Sequence, residues 1–127
     1  MYKYGVHRVT WGHLFDPNSL EMFFDQAART GADLVEMRPP DPCLLGDEAK
    51  TREIRQMAAD KGLEMVFSFG YPIGMDMRSE DVFARKYAVQ HLINAVKGVA
   101  AIGGTEIGGV LYSIQPTLYT TVPIKKR

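Results

Sequence analysis

Apolar residues recur along this chain in two alternating rhythms: short β-branched or aromatic runs, and longer stretches with an apolar stripe every three or four residues. Residues 4–10 form the first short run, and Asp16-Pro17-Asn18-Ser19 then offers capping residues for a helix. Over residues 20–30 the apolar positions Leu20, Phe23, Phe24, Ala27 and Ala28 make one stripe of an amphipathic helix, and Gly31 follows as its stop. Residues 32–37 read as a brief strand. Residues 47–61 repeat the helix pattern, with Ile54, Met57 and Ala58 on one face and Lys61-Gly62 closing it. Residues 63–69 give a third strand. Ser79 is placed to cap a third helix with Glu80 and Asp81 in its first turn, where the helix dipole favours them. Its apolar positions run through Leu92, Ile93, Val96 and Val99 to Gly103-Gly104, and residues 105–112 are a fourth strand.

The order is β-α-β-α-β-α-β with short helix-Gly-strand links, and right-handed crossovers of this kind build a parallel sheet. A doubly wound sheet would bury its strands as near-continuous Val/Ile/Leu runs. Here His7, Thr10, Trp11, Glu36, Ser68, Tyr112 and Ser113 sit within the strands or at their C-terminal ends, where a (β/α)8 barrel assembles its site. The barrel is favoured. A complete barrel takes about 250 residues, so residues 1–127 are expected to be the N-terminal half of one TIM-barrel domain, cut off after strand four. Strand four is expected beside and parallel to strand three. His7, Trp11, Glu36, Ser68 and Tyr112 are expected together at the C-terminal end of the sheet.

Charge narrows the partners. Fifteen basic residues balance fifteen acidic ones, and only Lys125-Lys126-Arg127 forms a block, so no nucleic-acid or acidic-membrane surface is expected. No apolar run approaches the roughly 18 residues of a membrane span, and no signal-peptide core follows Met1, which points to the cytoplasm. The single cysteine, Cys43, lies in the loop Pro39-Pro40-Asp41-Pro42 with no basic neighbour to activate it, and reads as an unreactive thiol.

The candidate chemistry is sparse. The cluster Gly103-Gly104-Thr105-Glu106-Ile107-Gly108-Gly109 leads from a helix into a strand, whereas phosphate loops lead from a strand into a helix, so it reads as a helix stop at Gly103-Gly104 and, at Gly108-Gly109, as close packing or substrate approach inside a narrow barrel. His7, His13 and His91 lack metal-ligand spacing, and His91 reads as a surface or helix-packing residue. His7 is either a hydrogen-bond donor to a polar ligand or a satisfied core histidine. Trp11 is either an apolar wall for the C–H face of a sugar or a core anchor. Glu36 is an inward carboxylate at a strand end, a hydrogen-bond anchor more than an acid/base group.

Three segments together resemble the D-tagatose and D-psicose 3-epimerase group of the xylose-isomerase-like TIM-barrel sugar isomerases. They are Lys3-Tyr4-Gly5-Val6-His7 running to Trp11, Gly31-Ala32-Asp33-Leu34-Val35-Glu36, and Gly108-Gly109-Val110-Leu111-Tyr112-Ser113 with Pro116. The resemblance spans essentially the whole chain, and the same segments are shared with hydroxypyruvate isomerases and inosose dehydratases. It implies epimerisation at C3 of a free ketose through an enediolate, with two glutamates as acid and base and Mn²⁺, Co²⁺ or Mg²⁺ as the electrophile. The metal ligands it implies, two Glu, an Asp and a His, fall on strands of the second half and not in this chain. For the first half it implies a pocket wall of His7, Trp11, Ser68, Val110 and Gln115, to which the reading of the residues adds Glu36. His7 stands where the epimerases commonly carry an aromatic residue and Gln115 where they commonly carry tryptophan. A more polar wall suits a phosphorylated or carboxylated substrate, or a different polyol.

Two functions follow as expectations. In the first, the complete protein is a ketose 3-epimerase or near relative, a homo-oligomer acting on a small sugar, of which the 127-residue chain is an inactive, pocket-forming half. In the second, the chain is a non-catalytic half-barrel whose unpaired edge strands drive self-association.

Overall fold

The computed structural model describes residues 2–11, 20–40 and 46–114. Its elements are β1 (Gly5–His7), a 3-10 turn (Arg8–Trp11), α1 (Leu20–Arg29), β2 (Leu34–Met37), α2 (Glu48–Asp60), β3 (Glu64–Tyr71), α3 (Val82–Ala101) and β4 (Ile107–Ile114). The strands form one sheet in the order β1-β2-β3-β4, and every neighbouring pair is parallel. A doubly wound sheet reverses its order at a switch point. This one runs in chain order throughout, as a barrel does, so the expected first half of a (β/α)8 fold is found.

Each βα unit is built alike. Asp47 caps α2 by accepting the Lys50 amide at 2.9 Å, and Asp81 caps α3 by accepting that of Phe83 at 2.8 Å. At the other ends Gly31, Gly62 and Gly103 take φ of 76°, 68° and 80°, the left-handed turn that lets each helix stop and feed the next strand. Asp33, in the turn before β2, accepts the Tyr4 amide on its carboxylate at 2.9 Å while its own amide donates to the Tyr4 carbonyl at 2.8 Å. That double contact pins β1 beside β2 with Val6 opposite Val35 and His7 opposite Glu36.

Alternation along the strands then sorts the side chains. Val35 and Met37 of β2 and Phe67 of β3 are buried under Phe23, Phe24 and Ala27 of α1, Ile54 and Ala58 of α2, and Val99 and Ile102 of α3 and its end. Phe69 and Tyr71 pack with Ala88 and Ala95 of α3. The intervening residues Glu36, Val66 and Ser68 are only half-buried, and they face the side opposite the helices.

Several boundaries differ from expectation, among them the start of β2 at Leu34 and the end of β3 at Tyr71. The first strand ends at His7, because residues 8–11 turn into a 3-10 helix. Asp81 and not Ser79 caps α3; the Ser79 hydroxyl oxygen instead accepts the Asp81 amide at 3.1 Å. The fourth strand begins at Ile107 and runs to Ile114, beyond the expected end. Within it the pairing slips: Phe69 faces Gly109, but Tyr71 faces Ile114, so β4 holds extra residues against β3. Gly109 makes the irregularity possible. Its φ is 98°, and a Cβ there would lie 2.3 Å from the Phe69 carbonyl oxygen.

Candidate functional site

The helix-free face carries its polar groups toward the C-terminal ends of the strands. His7 ends β1 and stands level with Glu36 of β2, which is level with Val66 of β3; Ser68 lies one residue pair further along and is level with Gly108 of β4. Strands β1 and β3 are separated by β2, about 10 Å apart in a sheet of ordinary spacing. His7 Nε2 nevertheless lies 3.0 Å from Ser68 Oγ, so the two side chains meet across the top of β2. The other ring nitrogen, Nδ1, accepts the Val9 amide at 3.0 Å. That contact folds the chain after His7 into the 3-10 turn that leads to Trp11.

Glu36 is half-buried beside this pair, and among the described residues its carboxylate has no hydrogen-bond partner. Val110, half-buried, follows the Gly109 irregularity in β4. Tyr112 is 61% exposed, and the Arg78 guanidinium from the β3–α3 loop lies 6.0 Å from its ring centroid. Asp76 holds that loop by accepting the Arg78 amide at 2.8 Å. Tyr71 donates to the Leu111 carbonyl at 3.2 Å, tying β3 to β4 across the slipped register. Burial, and after it the charge of Asp76, pushes the Tyr71 phenol above its ordinary value.

Of the expected wall residues, the structure thus joins His7 to Ser68 and sets Glu36 beside His7. The side chain of Trp11, and all of Gln115, His13 and Cys43, lie outside the described residues. His91 packs on Phe69 from α3, ring centroids 5.3 Å apart, the packing role and not the surface one of the two expected for it. Arg78 and Asp76 were not anticipated. A lone Arg in a loop carries no motif, and only the fold sets it over Tyr112.

The described residues do not fit a metal. Among them no three His, Cys, Asp or Glu side chains converge, and His7 has one ring nitrogen against a backbone amide and the other against Ser68. Nor is any helix among the described residues long and apolar enough to cross a membrane.

The fold defines the first half of a parallel βα barrel, and this polar cluster lies toward the C-terminal ends of its strands. No family model matches the sequence. The chain is 30% identical over 111 residues to the ketose 3-epimerase of Arthrobacter globiformis, a stretch covering 87% of this chain and 37% of that protein. In fold it is similar to the D-psicose 3-epimerase of Clostridium cellulolyticum H10 solved with D-tagatose, with a TM-score of 0.76, 23% identity, and coverage of 98% of this chain and 43% of that one. An L-ribulose 3-epimerase gives the same TM-score of 0.76 and 23% identity, over 99% of this chain and 41% of its own. The chain spans about two fifths of the length of these relatives. These relatives fall in the 3-epimerase group that the sequence resembles.

Proposed function

We propose that the complete protein is a metal-dependent isomerase that epimerises C3 of a ketose or related small polyol through an enediolate, and that this chain supplies part of its sugar-binding wall. The observation that carries the reading is the similarity to a ketose 3-epimerase over 87% of the chain. The meeting of His7 and Ser68 on the helix-free face, with Glu36 alongside, supports it. These residues can hold hydroxyl groups and orient a sugar, which matters because a reacting geometry must be set before a proton can move. Proton transfer beside a carbonyl also needs a base in reach and an electrophile for the developing oxyanion. In this reading both come from beyond the half described, along with Mn²⁺, Co²⁺ or Mg²⁺, and the complete protein is a cytoplasmic homo-oligomer.

The 127-residue chain alone is therefore expected to be inactive. The test incubates it with D-fructose, D-tagatose and their C3 epimers plus Mn²⁺ or Co²⁺, and follows exchange of the C3 hydrogen with solvent deuterium. The complete protein should exchange and the chain should not. Metal-dependent exchange by the chain, lost in Glu36→Gln, would make Glu36 catalytic and overturn the division of labour.

A second reading, a half-barrel that associates with its own copy, is favoured by one feature. Val89, Ile93 and Val96 leave an apolar stripe 41–47% exposed along α3, beside β4 at the edge of the described sheet. Sedimentation of the chain over a hundredfold concentration range separates a monomer from a dimer.

A further inference from the structure

We propose that His7 is a positioning residue: held in a single tautomer by the Val9 amide, it donates to Ser68 and turns the Ser68 hydroxyl into a donor for an acceptor oxygen of the bound sugar. The proposal rests on the ketose reading above, and it adds to that reading the polarity of one contact.

The Val9 amide is a donor whose role is not adjustable. A backbone N–H can only donate, so the Val9 amide 3.0 Å from His7 Nδ1 requires a lone pair on that nitrogen. A neutral imidazole then carries its hydrogen on Nε2. Ser68 Oγ, 3.0 Å from Nε2, is thereby the acceptor in that pair. Ser68 keeps its own O–H to give, and among the described residues no other group takes it. The residue is half-buried on the helix-free face, level with Gly108, which has no side chain to cover it.

Two consequences follow. Donors aligned head to tail, amide to imidazole to hydroxyl, polarise one another, so Ser68 becomes a better donor than an isolated serine. It therefore favours an oxygen lone pair in the ligand, carbonyl or hydroxyl, over an N–H or a bare C–H edge. Second, His7 is not the base of the reaction. One nitrogen already accepts from the backbone and the other holds its hydrogen, so neither is free to take a proton from carbon without breaking the turn that begins at Arg8. His7 acts through Ser68.

Long-range ¹H–¹⁵N NMR of the chain reads the tautomer directly. His7 should show an unprotonated Nδ1 and a protonated Nε2, and Ser68→Ala should move the Nε2 resonance while the tautomer stays. Titration with D-tagatose should shift the His7 Nε2 signal in the unmodified chain. The apparent affinity should fall about tenfold, one lost hydrogen bond, in Ser68→Ala and in His7→Phe. His7→Gln, which retains an N–H donor near the Nε2 position, should stay within about threefold of the original. Should His7→Phe fail to fold, Ser68→Ala and the tautomer of the unmodified chain still decide. An Nδ1–H tautomer overturns the proposal outright. A correctly locked His7 that does not respond to D-tagatose overturns its recognition half. Neither readout involves epimerisation, so absence of C3 exchange in the complete protein would count against the ketose reading while leaving the tautomer result as measured.

Discussion

The two faces of this sheet are made from alternate residues of the same strands, yet they are opposite in character. On the helix side Val35, Met37, Phe67 and Phe69 are at most 5% exposed and belong to the apolar clusters under the helices. On the other side the residues between them, Glu36, Val66 and Ser68, are half-exposed, and the polar contact there joins β1 to β3 across an intervening strand. Burial on one face supplies the stability that allows polar groups to stand unburied on the other. Substitutions on the two faces should therefore affect different measurements.

The largest effect belongs to the helix side. Phe24 of α1 is completely buried and packs at 5.6 Å, centroid to centroid, from Phe23. Phe24→Ala removes most of a large side chain and leaves a cavity the sheet cannot close, costing about 3–5 kcal/mol by urea denaturation. Next is the join between β3 and β4. Gly109→Ala places a Cβ against the Phe69 carbonyl at a backbone angle suited only to glycine, and should cost about 2 kcal/mol. A smaller loss or none would mean that β4 can re-register without Gly109. Tyr71→Phe, which removes the hydrogen bond to Leu111 across the same irregularity, should cost about 1 kcal/mol in the same assay. The site side should be nearly silent: Glu36→Gln, at a half-exposed carboxylate without a partner among the described residues, should change stability by less than about 0.5 kcal/mol. A loss comparable to that of Tyr71→Phe would show Glu36 to be structural, and the contrast between the faces would fail.

Much of the helix side was legible in the sequence because it follows from periodicity. The stripe of Leu20, Phe23, Phe24 and Ala27, and the alternation of Phe67 and Phe69 about Ser68, require no knowledge of tertiary partners. The errors arose where a side chain competes with the backbone pattern. Val9 and Thr10 are β-branched and extend the first run on paper, but the Val9 amide bonds to His7 and the strand ends there. Ser79 was expected to cap α3 with Asp81 in its first turn, but the Ser79 hydroxyl accepts the Asp81 amide within the turn and Asp81 caps the helix instead. In the site, the identity of His7, Glu36 and Ser68 could be read from their places at or near strand ends. The pairing of His7 with Ser68, 61 residues apart, could not, because it depends on how the strands bring their side chains together.

The smallest effect tests the outer margin of the helix layer, where stability should rest on charge as well as on packing. Lys61, just after α2, donates to the Asp25 carboxylate of α1, joining the two helices by an ion pair at their surface. That hydrogen bond is the main reason the Asp25 carboxyl lies below its ordinary value; slight burial opposes it, and the charges of Lys61 and Arg29 reinforce it. A carboxyl lowered in the folded state stabilises the fold above its unfolded value near 3.8, and the contribution disappears as pH falls through the folded value. The pair is partly exposed, so salt screens it and the effect is small. Urea midpoints of the unmodified chain and of Asp25→Asn should thus differ by a constant small amount between pH 5 and 7, and converge below about pH 4. The difference should shrink in high salt. Parallel midpoints down to pH 2 would assign the loss in Asp25→Asn to packing or hydrogen bonding of the amide, and the α1–α2 margin would then be held as the interior is.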